Sequence, residues 1–426
     1  MYGGGTFVTQ NKVLPGAYVK FISASKASTA MSDRGVVAIG ASMNWGSDDV
    51  IFKVTAEEFA TKSLSVLGYA YTADELKGFR DLFKNAVTVY VYRLNSGGKK
   101  AANAFGTARC SGTRGNDISV SVEADADEEG LYEITTRIGG VTVDMQIGRR
   151  PADLEDNAFV VWNDNAAFVE TAGMAMEGGE NGEETGASHQ RFLDLLENHT
   201  CNIIACLSDD DDVKGLYAAY IRRIRENTMY SAQVVLHDYA ANYEGVINVK
   251  NGRDLVWWTA GAEAGCAVNK TVLNMAYDGE FEIQADYTGD ELSEAIRNGE
   301  FVFHQVDGGY RVLDDINSLV DTTEEKGDEF KDNSGIRVMD QVGADIAALF
   351  CRKYLGRVHN DRAGRNSLWS DIVSYCNELM RIRAIEDFQD SDVVVESGDT
   401  KKSVAIHLRL IPAGFFGQMY MTVVVA

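Results

Sequence analysis

The stretch that decides the fold is residues 202–237, NIIACLSDDDDVKGLYAAYIRRIRENTMYSAQVVLH. It predicts a strand over 202–207, a helix over 213–229 and a second strand over 233–237. Apolar side chains at helical spacing mark the buried face of that helix: Leu216, Tyr220 and Ile224. Two apolar strands joined by an amphipathic helix are typical of a parallel sheet covered by helices, so we expect a doubly wound α/β core.

The segment nearer the N-terminus shows a related pattern. Residues 36–41 and 87–93 are apolar or β-branched and predict strands. Two Thr-x-x-Glu capping boxes, which begin at Thr55 and Thr72, predict that two helices start between these strands. This order indicates a β-α-α-β start to the chain.

The pattern then changes to alternating strands. Residues 118–123, 131–138 and 141–147 alternate apolar with polar side chains, and Gly139-Gly140 supplies a two-residue hairpin turn. We expect an antiparallel β-sandwich inserted after the α/β start. The Gly- and Glu-rich stretch 177–186 is interpreted as its flexible boundary.

After residue 237 helices and short strands alternate again. The predicted helices cover 255–268, 291–298, 342–355 and 368–383, and the predicted strands cover 301–306 and 311–314. The fold class is therefore a mixed α/β, multi-domain protein, with a doubly wound core, an inserted β-sandwich and extended strand arms at both ends.

Composition excludes several functional classes. The 426 residues include 40 Lys+Arg and 64 Asp+Glu, a net charge of −24, which opposes binding to nucleic acid or to an anionic membrane. We see no signal peptide and no run of 18 apolar residues, so no membrane-spanning helix is expected. The six cysteines form no CxxC pair, which is typical of reduced thiols in a protein made in a cytosol.

The acidic charge is concentrated in the middle of the chain. Residues 101–335 carry a net −28, whereas residues 351–383 hold seven basic and three acidic side chains, a local +4. Such asymmetry is compatible with plain solvated surface, or with a middle that faces water and ends that face partners.

Candidate chemical sites are weak. Asp209–Asp212 follow a predicted strand, where α/β sheets often bind ligands, but acids in the first turn of a helix capped by Ser208 explain them better. The motif Asp125-x-Asp127-x-Glu129-Gly130 has Thr136 where a calcium loop needs Glu. Gly97-Gly98-Lys99-Lys100 lacks phosphate-loop spacing, and the six histidines form no metal motif. No cofactor is predicted, and a metal-dependent α/β enzyme acting on a small molecule at Asp209–Asp212 remains the alternative.

The two ends of the chain are unusual because both are apolar and extended. The chain ends in Val423, Val424, Val425 and Ala426, and a strand of this kind must pair with its own sheet or with that of a neighbour. Both ends therefore suit strand addition between subunits. The side chains assigned to this role are Phe7, Val8, Tyr18, Val19, Phe21, Met419, Tyr420, Met421, Val423, Val424 and Val425.

Several stretches, in this order, resemble the contractile tail sheath family of bacteriophages and R-type bacteriocins. They are VLPGAYVKF (13–21), GTRGNDISV (112–120), VWWTAGAEAGCAVNKTVLNMAYDG (256–279), residues 299–319, and residues 333–388 with 404–422, which include the loop GRVHNDRAGR from Gly356. The resemblance divides the chain into an N-terminal arm (1–22), an N-terminal core part (23–100), the insertion (101–186), a middle domain (187–320), a C-terminal domain (321–417) and a C-terminal arm (418–426).

The resemblance implies a structural protein and not an enzyme. Members stack as hexameric rings in a helix around a tail tube, exchange strands through their arms, and contract to drive the tube through the host envelope. The implied partners are sheath neighbours, the tube, and baseplate and terminator proteins, on a virion tail assembled in the bacterial cytoplasm. The C-terminal domain faces the tube in this family, so we expect the local +4 to include the tube contacts: Arg352, Lys353, Arg357, Arg362, Arg365, Arg381 and Arg383.

Overall fold

The computed structural model describes residues 34–227 and 230–424. Two compact units are present, one made of residues 341–413 and the other of residues 34–340 with 414–424. The predicted fold class is confirmed, because the chain is a mixed α/β protein with several sheets. The domain boundaries drawn from the sequence stay predictions.

The described strands and helices follow the chain in this order. The strands are β1 (Val36–Ala41), β2 (Ile51–Thr55), β3 (Thr88–Arg93), β4 (Gly106–Ala108), β5 (Ile118–Ala124), β6 (Tyr132–Ile138), β7 (Val141–Gly148), β8 (Val160–Trp162), β9 (Thr171–Ala175), β10 (Ile203–Ala205), β11 (Gln233–His237), β12 (Val246–Val249), β13 (Glu300–Phe301), β14 (Phe303–Val306), β15 (Gly309–Val312), β16 (Val393–Ser397) and β17 (Val404–Leu408). The helices are α1 (Ala56–Leu67), α2 (Lys77–Phe83), α3 (Gly186–Leu196), α4 (Asp211–Asn227), α5 (Leu255–Gly265), α6 (Gly289–Arg297), α7 (Asn333–Leu349) and α8 (Arg362–Arg381).

A seven-stranded sheet organises the larger unit. Its order is β13-β12-β11-β10-β1-β3-β2, and all neighbours run parallel except β2, which is antiparallel to β3 at the edge. Side chains along β1 alternate between two cores, since Val37 and Ile39 pack with α1, α2 and α5 while Ala38 packs with α3 and α4. Apolar burial on both faces is what makes these strands uniformly hydrophobic. The doubly wound core is therefore confirmed.

The two predicted capping boxes have different outcomes. Thr55 accepts a hydrogen bond from the Glu58 amide at the start of α1, and Glu58 bonds back, as predicted. The prediction at Thr72 is wrong. A 3-10 turn begins at Asp74 after Ala73, which has no side-chain cap, and α2 follows from Lys77. The tighter turn moves the helix start beyond the reach of the Thr72 hydroxyl.

The inserted module has two antiparallel sheets over one core. The sheet β7-β6-β5-β9 and the pair β4-β8 both contribute to a cluster that contains Ile118, Ile134 and Trp162. Gly139 and Gly140 have φ of 54° and 82°, so the predicted hairpin turn needs residues that tolerate a left-handed backbone.

The stretch 177–186 is not a flexible boundary, contrary to the prediction. Its backbone pairs with residues just before the module, through hydrogen bonds of 2.9 Å from Lys99 N to Glu180 O and from Ala102 N to Glu177 O. Asn181 also accepts from Arg93 at 3.2 Å, and Arg93 donates to the Ser111 carbonyl at 2.7 Å. Glycine composition predicts mobility only when no partner strand lies alongside.

Two predicted helix starts are also wrong. Helix α7 begins at Asn333, nine residues before the prediction, because Asp332 accepts from the Ser334 amide at 2.6 Å and caps it. It continues into a π-helical turn, Phe350–Tyr354. Helix α8 begins at Arg362, six residues early. The polar residues at both starts resemble loop sequence.

Candidate functional site

The loop between α7 and α8 is built around the sequence GRVHNDRAGR. Gly356 has φ of 69°, a conformation that favours glycine, and Asp361 caps α8 by accepting from the Gly364 amide at 2.8 Å. Gly364 lies so close to the chain that a Cβ there would sit 2.1 Å from the His359 carbonyl oxygen. These three residues fix the loop against the first turn of the helix.

Asn360 connects this loop to the β16–β17 hairpin. Its side-chain amide donates to the carbonyls of Lys401 at 3.2 Å and Ser403 at 2.7 Å, and its oxygen accepts from Arg365 at 3.0 Å. One neutral side chain therefore holds the tip of the hairpin, the loop and a helix arginine together.

The structure separates the predicted tube-facing residues into two groups. Five lie in the loop region or beside it: Arg352, Lys353, Arg357, Arg362 and Arg365. Arg381 and Arg383 lie at the other end of α8, about 24 Å from Arg365 at the helical rise per residue. All except the half-buried Arg365 are exposed, and their contact with a tube stays a prediction.

Some of these cations are already paired. Lys353 Nζ lies 2.6 Å from Asp371, and that hydrogen bond raises the pKa of Lys353. Arg381 pairs with Glu378 one turn back on α8. Arg352, Arg357, Arg362 and Arg365 form no ion pair with the described residues, so their charge is available to a partner.

A cavity of about 520 Å³ opens beside the loop, and sequence reasoning did not identify it. Its lining includes Arg357, Arg365, Lys401 and Lys402. Lys401 and Lys402 lie on the hairpin turn between β16 and β17, and the sequence analysis predicted neither of these two strands. The alternation of Val404, Ile406 and Leu408, preceded by a polar turn, was the available signal.

The C-terminal segment is exposed and apolar. Residues 414–424 form no strand with the described part of the chain, and Met419, Tyr420, Met421, Val423 and Val424 are 70–89% exposed. Pairing with the protein's own sheet, one of the two alternatives, is therefore not seen for these residues. The other predicted arm residues, Phe7, Val8, Tyr18, Val19, Phe21 and Val425, lie outside the described residues.

A buried charge cluster occupies the larger unit. Arg337 Nη2 lies 2.6 Å from Glu263 and 3.4 Å from Asp315, and all three side chains are at most 2% exposed. Arg34 donates to the carbonyls of Cys266 and Glu263 at 2.9 and 3.2 Å. Burial raises the pKa of Glu263 well above its usual value, with the Asp315 charge adding to it, whereas the Arg337 charge lowers the pKa of Asp315, so Glu263 holds a proton more readily than Asp315.

The aspartate run at the end of β10 is structural. Asp210 accepts from the Asp212 amide at 2.8 Å and caps α4, a role predicted for Ser208, whose hydroxyl accepts instead from the Asp210 amide. Asp209 lies 3.3 Å from His237 and 3.2 Å from Arg253. Within 34–227 and 230–424, no three His, Cys, Asp or Glu side chains are arranged to hold a metal ion.

The other weak motifs are surface turns. Asp125 accepts from the Asp127 and Glu128 amides in the loop between β5 and β6, and Lys99 pairs with Glu180 at 2.8 Å. No helix in the described part of the chain has the length and apolar character needed to cross a membrane.

Three models of one family match successive parts of the chain. Residues 34–94 match the N-terminal region of domain III of a tail sheath protein, residues 182–318 match the central domain of phage tail sheath proteins, and residues 325–426 match their C-terminal domain.

Known proteins agree with these matches. The phage-like element PBSX protein XkdK of Bacillus subtilis is 27% identical over 99% of both chains. The crystal structure of a sheath tail protein from Desulfitobacterium hafniense is 32% identical, covers 93% of this chain and 96% of its own, and superposes with a TM-score of 0.82. The contracted helical sheath of the anti-feeding prophage shares the fold at 12% identity, a TM-score of 0.56, and coverage of 97% of this chain and 99% of its own. The chain therefore belongs to the phage tail sheath family, and it is a structural subunit of a tail sheath and not an enzyme.

Proposed function

We propose that this subunit assembles into helically stacked hexameric rings around a tail tube and contracts to drive the tube through a bacterial envelope. Its partners are neighbouring sheath subunits, the tube, and baseplate and terminator proteins, and assembly takes place in the host cytoplasm. The observation that carries the proposal is the exposed apolar segment 414–424, which pairs with no strand among the residues that the structure describes.

Strand addition explains how such a segment serves a moving assembly. Backbone hydrogen bonds to a neighbour bury apolar side chains that are otherwise open to water, and they give affinity with few demands on side-chain fit. Links of this kind survive large rigid-body movement of the subunits that they join.

Proline substitutions test the strand directly. Met421→Pro and Thr422→Pro each remove one backbone donor, and successive donors of a strand point to opposite sides, so at least one variant loses a ladder hydrogen bond. We expect that variant to remain a folded soluble subunit but to form no sheath when it is produced with its tube protein. Negative-stain microscopy and circular dichroism measure the two properties.

Met421→Ala and Thr422→Ala are the matched controls, because they shorten the same side chains and keep the donors. They should assemble with at most a modest loss. Normal contractile sheaths from both proline variants would contradict strand addition at this segment.

A further inference from the structure

The cavity beside the α7–α8 loop has one sign of charge. Arg357, Arg365, Lys401 and Lys402 contribute to its lining, which contains no carboxylate, and none of the four pairs with an acidic side chain in the described ranges. Apolar side chains form another part of the lining: Phe350, Leu355, Val358, Leu368 and Val404. A cavity with cations and no compensating acid favours a carboxylate-bearing occupant.

The two lysines are held at the tip of a tight turn. The Ser403 amide donates to the Thr400 carbonyl at 3.1 Å, and this turn places Lys401 and Lys402 at its two central positions. Asn360 binds the turn from the loop side through the Lys401 and Ser403 carbonyls. The charges are thus presented by a fixed backbone, which reduces the entropy lost when a partner binds.

The same chain carries an exposed bend of opposite charge, within an acidic loop at residues 321–329. The Thr323 amide donates to the Lys326 carbonyl at 2.9 Å, and the Lys326 amide donates to the Thr323 hydroxyl at 3.1 Å, so Glu324 and Glu325 lie at the tip between these two residues. Asn242 binds the base of the loop through Asp321. Glu324, Glu325 and Glu329 are exposed and have no ion pair among the residues that the structure describes.

Other exposed acidic stretches are less available. Glu128, in the loop between β5 and β6, already pairs with Arg149. Asp209 pairs with His237 and Arg253, and Asp211 pairs with Lys214 at 2.7 Å. The loop 321–329 differs from these stretches because three of its exposed acids, Glu324, Glu325 and Glu329, have no ion pair among the described residues, so we take it as the complement to the cavity.

We infer that the basic cavity of one subunit receives the acidic loop 321–329 of a second copy of this chain. The contact joins two different surfaces, so it is heterologous, and repeating it generates rings or helices. The inference rests on the proposed sheath function and assigns one of its subunit contacts. It also removes Arg357 and Arg365 from the tube-facing group and leaves that role to the remaining basic residues.

Charge reversal on two separate chains tests the contact. One full-length variant carries Lys401→Glu with Lys402→Glu, and the other carries Glu324→Lys with Glu325→Lys. In each variant the reversed pair of side chains meets the unchanged pair of the other surface with the same sign of charge, and the attraction between Lys401–Lys402 and Glu324–Glu325 is lost. We therefore expect the concentration needed for self-assembly, measured by sedimentation, to rise about tenfold or more. An equal mixture restores attraction at every contact between unlike chains and should assemble within about threefold of the wild-type concentration.

The matched control is Arg381→Glu with Arg383→Glu, which changes the charge of the same unit equally at the far end of α8. This control variant should assemble like the wild-type chain, and mixing it with the loop variant should not restore the assembly of the loop variant. Wild-type assembly by either reversed variant, or a mixture no better than its components, would overturn the inference. The wild-type chain and the Met421→Pro and Thr422→Pro variants are run alongside, since failure of the wild-type chain to assemble would contradict the proposed function as well.

Discussion

Arg337 is the central cation of the buried charge cluster in the larger unit. Its guanidinium is 1% exposed and contacts two buried carboxyl groups, Glu263 and Asp315, and it donates to the Lys270 carbonyl at 2.8 Å. Buried ion pairs add little net stability, because desolvation offsets their attraction. Removing one partner is costly, however, because the other charge stays buried and unpaired.

Two substitutions separate these effects. Arg337→Met leaves Asp315 ionised and unpaired, and we expect the free energy of unfolding of this unit to fall by about 3–5 kcal/mol. Glu263→Gln replaces a protonated carboxyl with a neutral group of the same shape, and the loss should stay below about 1 kcal/mol. Urea unfolding followed by tryptophan fluorescence, to which the buried Trp258 of this unit contributes, measures both.

The pH dependence has a defined sign. The ordinary pKa of a glutamate is 4.5, and burial raises the pKa of Glu263 in the folded protein well above it. Above pH 4.5 the unfolded chain therefore loses a proton that the folded chain keeps. This group makes the free energy of unfolding fall as pH rises. Glu263→Gln lacks that contribution. The melting temperature of the variant relative to wild type should therefore increase between pH 5 and pH 8, and a constant difference would show that Glu263 is ionised at both pH values.

Helix α8 shows how a local signal controls an element. Asp361 accepts from the Gly364 amide, and the stripe Leu368, Ile372, Tyr375 and Leu379 is buried as its spacing predicts. Asp361→Ala removes the cap and should destabilise the smaller unit by about 1 kcal/mol. Asp361→Ser keeps a side-chain acceptor, so its loss of stability should be smaller than that of Asp361→Ala. If both variants melt at the wild-type temperature, the Asp361 cap does not stabilise the helix.

The predicted bounds of strands and helices agree best with the structure where apolar side chains recur at a regular spacing. The strands β5, β6 and β7 and the helix α4 lie within three residues of their predicted bounds. Starts built from Asn, Ser and Gly were misassigned, as at α7, because these residues favour loops unless a cap such as Asp332 holds the first turn. The missed hairpin β16–β17 carries two of the four cations of the basic cavity.

At the scale of the whole molecule, the first and last residues of the inserted module lie next to each other. Ala102 and Glu177 are hydrogen bonded to each other, so a two-glycine linker spans the gap if residues 103–176 are removed. We expect this shortened chain to keep the seven-stranded sheet but to melt at a lower temperature, because Trp45 and Arg93 lose partners in the module. Circular dichroism and thermal melts measure both, and an unfolded chain would show that the module is required for folding.

The charge distribution belongs to this scale too. Residues 101–335, with a net −28, include the acidic loop, while the unit that holds the basic cavity is nearly balanced in charge. Counting acidic and basic side chains along the sequence therefore showed where the negative charge is concentrated. It did not distinguish a surface that faces water from a surface that faces another copy of the chain.

The sequence by itself determined the fold class, the inserted β module and the family, because apolar periodicity and turn residues act over short spans and survive in the linear pattern. It also indicated that both termini are extended and apolar. Only the tertiary structure decided that Arg337, Glu263 and Asp315 share one interior, that stretch 177–186 is held by Lys99 and Ala102, and that Lys401 and Lys402 join Arg357 and Arg365 in one cavity. These groupings join residues 22 to 81 positions apart, and their charges and hydrogen bonds act through distances in space that no local pattern records.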